Sequence, residues 1–123
     1  MQLTENFDLS EFASKDGLST PLEVVSSLTK LAMNLQVLRD YLGKPIAINS
    51  GYRSPEHNEN IGGAKNSQHL LGKAADIVVD GYTPKQIFDV IESLQNKGEM
   101  EIGGLKAYST FVHYDIRGHF ARW

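Results

Sequence analysis

Leucines and an alanine recur every three or four positions in one long stretch of the chain, the spacing of a helix with one buried face. Thr20, Pro21 and Glu23 predict where this helix starts, with Thr20 as the cap, Pro21 in the first turn and Glu23 completing a capping box. Gly43 and Pro45 predict its end. The predicted apolar stripe consists of Leu28, Leu31, Ala32, Leu35, Leu38 and Leu42.

A second helix of the same kind follows later in the chain. Thr83-Pro84 opens it and Gly98 ends it, with a buried stripe formed by Ile87, Val90, Ile91 and Leu94. Two short helical turns are also predicted. One covers residues 8–13 and is capped by Asp8 or Ser10, and the other opens at Ser54-Pro55-Glu56 and stops at Gly62-Gly63.

Four short apolar or alternating segments predict β-strands, at residues 46–48, 74–79, 101–108 and 111–117. The last two are adjacent, so Ser109-Thr110 is expected to join them as a hairpin. Residues 64–73 are polar and are predicted to form a loop. The order of elements indicates an α+β fold with helices packed on a small, mainly antiparallel sheet.

The length, the net charge and the absence of cysteine limit the number of domains, the partners and the metal ligands that this chain can have. The chain has 123 residues, which suits a single domain over residues 1–123, and its net charge of -3 argues against a nucleic-acid partner. With no cysteine, a metal would need nitrogen and oxygen ligands from His, Asp and Glu. The N-terminus has no pattern of a signal peptide and no segment is apolar enough for a membrane span, so we expect a chain made in the cytoplasm without membrane insertion.

Segment 111–117 carries its ionisable residues on one face. Side chains alternate along a strand, so Val112, Tyr114 and Ile116 fit the core, while the other face holds Phe111, His113, Asp115 and Arg117. One interpretation is a surface ion-pair ladder with Asp115 between His113 and Arg117. The other is a functional site, which requires a second group of residues to converge on this face.

Residues 67–76 supply such a group. Asp76 begins a run that is otherwise apolar, where a carboxylate is costly unless it is paired or binds a metal. The alternative is an Asp at the end of a strand, hydrogen-bonded to a loop. Gly72 allows the preceding loop to fold back, so that His69 could meet Asp76. Arg53, which follows the first strand, is either a surface residue or a cation that faces the same site.

These motifs together resemble the M15 group of zinc peptidases, in particular the short branch found in phage lysins and murein endopeptidases. The resemblance extends over most of the chain and rests on Ser50-Gly51-Tyr52-Arg53-Ser54, Asn58, Gly62-Gly63, the block from Ser67 to Asp76, Phe111-Val112-His113-Tyr114-Asp115 and Arg122-Trp123. It implies the fold of hedgehog domains and D-Ala-D-Ala peptidases. It also implies that Zn²⁺ is held by His69, Asp76 and His113, with Arg53 assisting catalysis at the substrate.

The sequence departs from this family at the general base. Many relatives carry Glu or Asp three residues before the second histidine ligand, and here that position is Thr110. Asp115 is the replacement candidate, either as the catalytic base or as a residue that orients His113. Five further side chains are candidates for substrate contact, with ordinary packing or surface placement as the alternative: Tyr52, Ser67, Tyr108, His119 and Trp123.

The resemblance implies zinc-dependent hydrolysis of a peptide bond in the stem or cross-link of peptidoglycan. The cut would be of the endolysin type or of the D,D-carboxypeptidase or endopeptidase type, made by a monomer that reaches the cell wall after holin-mediated release. Two alternatives use the same fold without hydrolysis: a non-catalytic zinc-binding module and a phage structural component.

Overall fold

A computed structural model describes residues 1–123 and shows a four-stranded antiparallel sheet with helices packed against one face. The α+β prediction is therefore confirmed. The helices are α1 (Leu22–Leu42), α2 (Pro55–Asn60) and α3 (Pro84–Asn96), and the strands are β1 (Ala47–Ser50), β2 (Ala74–Val78), β3 (Leu105–Ala107) and β4 (Val112–Asp115). Two 3₁₀ turns, at Leu9–Phe12 and Gln68–Leu71, complete the fold, and the second lies within the segment predicted as loop.

The two long helices begin in different ways. The Thr83 side chain accepts a hydrogen bond from the Gln86 N–H and the Gln86 side chain returns one to Thr83, so α3 has a full capping box. Helix α1 has none. It begins at Leu22, after Pro21, and no side chain caps it, so the predicted capping role of Thr20 is wrong. Gly43 ends α1 in the left-handed conformation (φ 66°), as its position predicted.

The strands lie in the order β1-β2-β4-β3, and every neighbouring pair is antiparallel. The register sets Asp76 of β2 opposite His113 of β4, with Ser50 of β1 opposite Asp76 on one side and Lys106 of β3 opposite His113 on the other. An irregularity in β1, between Ile48 and Ser50, precedes the Ser50 pairing. One row of polar side chains therefore crosses the sheet.

The opposite face of the sheet packs into the hydrophobic core. Val112, Tyr114 and Ile116 of the last strand segment belong to this core, as the alternation predicted, together with the buried stripes of α1 and α3. The hairpin is also found, because the Tyr108 N–H donates to the Phe111 carbonyl across Ser109-Thr110. Strands β2, β3 and β4 are shorter than predicted, whereas β1 starts one residue later than predicted and ends two residues later. No helix in the chain has both the length and the apolar character needed to cross a membrane.

Candidate metal centre

Three side chains from two adjacent strands and one turn converge on a single point. Strand pairing sets Asp76 beside His113, and the 3₁₀ turn before β2 brings His69 to the same place. Asp76 Oδ1 lies 3.3 Å from His69 Nε2 and 3.2 Å from His113 Nδ1. All three residues are buried, and their potential ligand atoms lie within 4.8 Å of one another.

The remaining ring nitrogen of His69 is fixed by the backbone. His69 Nδ1 lies 2.7 Å from the carbonyl oxygen of Gly51, which can only accept, so Nδ1 carries the proton. The Nε2 lone pair then faces Asp76. The turn itself is held by Ser67, whose hydroxyl accepts from the His69 N–H, and by Gly72, which ends it at φ 71°.

The second histidine is fixed by a carboxylate. His113 Nε2 lies 2.8 Å from Asp115 Oδ2, while His113 Nδ1 faces Asp76. Although burial acts to raise the pKa of Asp115, bonds from His113 and Arg117 hold that pKa well below its ordinary value. An ionised Asp115 accepts the proton of Nε2, so the Nδ1 lone pair of His113 points to the same place as that of His69.

This donor set fits a zinc ion. Zn²⁺ binds imidazole nitrogen and carboxylate oxygen, and catalytic sites commonly use three protein ligands. Burial opposes ionisation of Asp76, but the two histidines keep the pKa of its carboxyl well below the ordinary range, so the carboxylate is charged at neutral pH. Both lone pairs and this carboxylate oxygen meet at one point.

Asp115 lies behind His113 and does not line the cleft. Its side chain is fully buried and accepts from the Gly104 N–H, the Arg117 N–H and the Arg117 guanidinium as well as from His113. The geometry does not fit the interpretation of Asp115 as a general base, because its oxygens are occupied by hydrogen bonds and its buried side chain does not line the cleft. It fits the alternative, in which Asp115 orients His113.

A glycine pair makes room for this carboxylate. A Cβ atom on Gly104 would lie 2.2 Å from Asp115 Oδ2, and one on Gly103 would lie 1.8 Å from the Asp115 carbonyl oxygen. Neither glycine was predicted from the sequence to have a role at the site. The pattern that could have indicated it is a pair of adjacent glycines at the start of a strand, which is typical of a close backbone approach.

Arg53 stands at the edge of the site and is held there by three side chains. Its guanidinium bonds Ser50 (3.2 Å), Asn58 (3.3 Å) and Asp76 Oδ2 (3.5 Å). Arginine has five N–H donors, so these three bonds leave two for a ligand. Asn58 is buried and also donates to the Ala64 carbonyl, which ties Arg53 to the loop after α2.

The converging residues form one wall of an open cleft of about 470 Å³. Of the predicted contact residues, Ser67, Tyr108 and Trp123 line it. Tyr52 and His119 do not. The Tyr52 side chain packs in the hydrophobic core, and His119 is exposed in the segment after β4. Period-two alternation could not place either residue, because both lie outside the strands.

Aromatic side chains form another part of the cleft lining. The ring of Trp123 meets that of His113 edge-on with centroids 5.2 Å apart, and its Nε1 donates to the Tyr108 hydroxyl at 3.3 Å. Tyr108 stacks on Phe111 with centroids 4.6 Å apart. The cleft therefore combines the three converging residues and the Arg53 cation with a group of aromatic rings.

Comparison with known proteins gives two findings. The family model described as Peptidase M15 matches residues 3–115. The zinc D-Ala-D-Ala carboxypeptidase of Streptomyces albus G is 41% identical over 71 residues, which is 57% of this chain and 27% of that protein. The chain thus corresponds to about a quarter of the length of this relative. Because the family match covers most of the sequence and includes all three converging residues, the chain belongs to the peptidase M15 family.

Proposed function

We propose that this chain is a zinc-dependent peptidase that cleaves D-Ala-D-Ala-type bonds in the stem peptides of peptidoglycan. The observation that carries the proposal is the convergence of His69, Asp76 and His113 on one point, with both imidazoles turned to it by hydrogen bonds to their other nitrogens. The similarity to a zinc D-Ala-D-Ala carboxypeptidase supports the choice of substrate.

In this proposal the side chains around the cleft have separate roles in binding and hydrolysis of the substrate. Bound Zn²⁺ would supply a Lewis acid for the scissile carbonyl and lower the pKa of water. Arg53 lines the cleft, and its two N–H groups without a protein partner can bind the terminal carboxylate of the substrate or the charge that develops on the carbonyl oxygen. Tyr108, Phe111 and Trp123 form the surface against which the peptide packs.

Asp115 acts in this proposal as a positioning residue. It holds the His113 ring through Nε2 and is itself held by Arg117 and Gly104. Carboxylates in this relation to a histidine ligand fix its tautomer and raise its basicity. The general base is not assigned to Asp115.

One observation favours the alternative of a zinc-binding module without hydrolysis. Asp76 is the one carboxylate that lines the cleft, and it belongs to the proposed ligand set. A peptidase of this kind commonly uses a separate carboxylate to accept the proton of the attacking water. The alternative therefore predicts stoichiometric zinc without peptide cleavage.

The test measures zinc content and release of D-Ala together. Purified protein is incubated with an N-acylated Lys-D-Ala-D-Ala peptide, with chelator, and after zinc is added back. His69→Ala should lose both the metal and the activity, while the matched variant His119→Ala, at an exposed histidine outside the cleft, should retain both. One zinc per chain without D-Ala release would favour the non-catalytic module, and no zinc would exclude the ligand set.

The position of the cut in the intact polymer needs a separate experiment. Sacculi from several wall types are digested, and the released fragments are identified by mass spectrometry. We expect new termini at D-Ala. New termini between L-Ala and D-Glu would instead favour the endolysin type of cut, and would leave the metal site as proposed.

A further inference from the structure

A second groove adjoins the cleft on the far side of Trp123. It has a volume of about 320 Å³ and lies between the edge strand β3, with Leu105, Lys106 and Ala107, and Phe88 of α3. Trp123 lines both this groove and the cleft. A peptide that leaves the cleft over the Trp123 ring therefore enters the groove without crossing a separate surface.

The floor of the groove has main-chain groups available for pairing. Hydrogen-bonded pairs alternate along an antiparallel ladder, and bonds join Tyr108 to Phe111 and Gly104 to Asp115. Residues 105 and 107 therefore direct their N–H and C=O groups away from β4. Leu105 N–H already donates to the Ala121 carbonyl, whereas no loop or turn carbonyl accepts from the N–H of Ala107, which lies on the outer side of the edge strand. The outer edge of β3 is open at Ala107 and can accept one further extended segment.

The charge of the groove comes from Lys106. The other two cations of its lining have acidic partners, since Lys85 pairs with Asp89 at 2.8 Å and Arg122 lies 3.6 Å from Glu92. Lys106 has no ion-pair partner, and its Nζ lies over the Tyr108 ring at 5.2 Å from the centroid. It is opposite His113 in the register, on the face of the sheet that carries the ligands.

We propose that this groove binds a carboxylate-bearing, extended arm of the peptide substrate, with Ala107 pairing to its main chain and Lys106 to its carboxylate. The inference rests on the proposed function for the identity of the substrate. The unpaired cation at Lys106 favours a carboxylate, and the continuity of the groove with the cleft through Trp123 favours an arm of the same peptide substrate. A carbonyl of an extended chain would accept a hydrogen bond from the Ala107 N–H, and its carboxylate would form an ion pair with Lys106.

The first test compares peptides that differ only in one charge. The probes are the pentapeptide L-Ala-D-Glu-L-Lys-D-Ala-D-Ala with a free Glu α-carboxylate, the same peptide with that carboxylate amidated, and N-acylated Lys-D-Ala-D-Ala without the arm. Lys106→Met, which keeps the length of the stem, should raise KM for the free carboxylate peptide by about tenfold and leave the other two unchanged. Lys97→Met, an exposed lysine outside the groove, is the matched control.

A second measurement reports binding without turnover. Trp123 is the single tryptophan of the chain, so its fluorescence in metal-free protein follows occupancy of the region it lines. The free carboxylate pentapeptide should bind more tightly than the amidated one to wild type, and equally to Lys106→Met. Ala107→Pro removes the outward N–H and also fixes φ at this position, which an edge strand tolerates, and it should weaken the binding of both pentapeptides.

Equal effects of Lys106→Met on all three peptides, or none on any, would overturn the inference while D-Ala release from the short peptide still supported the proposed function. Failure of wild type to cleave any peptide would count against the proposed function. In that case the fluorescence titration still decides whether the groove prefers the carboxylate. No preference in wild type would exclude this groove as the site of the acidic arm.

Discussion

The two histidines of the metal centre present different ring nitrogens to the same point. His69 offers Nε2 because Gly51 holds its Nδ1, and His113 offers Nδ1 because Asp115 holds its Nε2. The sequence supplied the candidate residue types, and the convergence of the two segments was one of the two interpretations that it allowed. The choice of nitrogen could not be predicted, because it depends on a carbonyl eighteen residues away and on the rotation of a side chain about the strand.

Asp115→Asn tests the positioning role. The amide keeps the size of the carboxylate but loses the charge that fixes His113 and pairs with Arg117, so zinc affinity should fall by about 10- to 100-fold. Competition with a chromophoric chelator measures this. Asp89→Asn, at an exposed aspartate of α3, is the control. Unchanged zinc affinity with activity lowered by about 10²- to 10⁴-fold would instead restore the general-base interpretation.

Gly104→Ala tests how closely β3 must approach the same carboxylate. The added methyl would overlap Asp115 Oδ2 and approach the Arg117 guanidinium to 2.8 Å, so the buried ion pair has to move. Overpacking of this kind costs about 1–3 kcal/mol in the free energy of unfolding. Denaturant titration measures the loss, and zinc affinity should fall with it. Stability and affinity equal to wild type would mean that Asp115 does not need this position.

At the scale of elements, helices were better predicted than strands. Capping residues and apolar stripes mark helices locally, so α3 and the end of α1 were placed from a few neighbouring residues. The bounds of all four strands differ from the predicted ones, and β2, β3 and β4 are shorter. A strand ends where its pairing with a neighbour ends, and the segment's own sequence does not contain that information. The start of α1 was predicted wrongly. Thr20 has the residue type and spacing of a cap, but no side chain makes a capping hydrogen bond at this end of the helix.

The two threonines give a matched pair of variants. Thr83→Ala removes a side chain that accepts from the Gln86 N–H, so it should lower the free energy of unfolding by about 1 kcal/mol. Thr20→Ala removes no cap and should stay within about 0.5 kcal/mol of wild type. Equilibrium unfolding in urea compares them. Equal losses at the two positions would contradict the assignment of the caps.

For the whole molecule, the core and the metal centre occupy opposite faces of one sheet. The buried hydrophobic cluster draws on all the long helices and on the inner face of the strands, and it contains none of the three proposed ligands. The chain should therefore fold without metal, and zinc should add stability by binding to a site that is already formed. The alternation of side chains along β4 allowed the core face and the ligand face to be predicted. The burial of Asp115 could not be predicted in this way, because it depends on how closely β3 approaches.

The stability added by zinc should depend on pH. Burial lowers the pKa of His113, but Asp115 and Asp76 outweigh it and raise that pKa above its ordinary value in the metal-free protein. Protonated His113 thus stabilises the metal-free fold below about pH 6.5, and this contribution is lost as the pH rises through the raised pKa. Zinc binds only the unprotonated ring, so zinc affinity should increase as the pH rises.

Thermal unfolding with and without zinc between about pH 5 and pH 8 checks this dependence. The increase in Tm on zinc addition should be small at the acid end and grow toward the alkaline end. His119→Ala, which removes an exposed histidine, should leave the trend intact. An increment that is constant over this range would mean that His113 does not compete between proton and metal.

The irregular step in β1 between Ile48 and Ser50 has a consequence for self-association. β1 forms the outer edge of the sheet on the side away from β3, and a regular edge strand is a template for pairing with a second chain. The break in register spoils the even spacing of its outward N–H and C=O groups, which disfavours growth of a continuous intermolecular sheet. The same step that sets Ser50 opposite Asp76 therefore also protects the chain against aggregation through this edge.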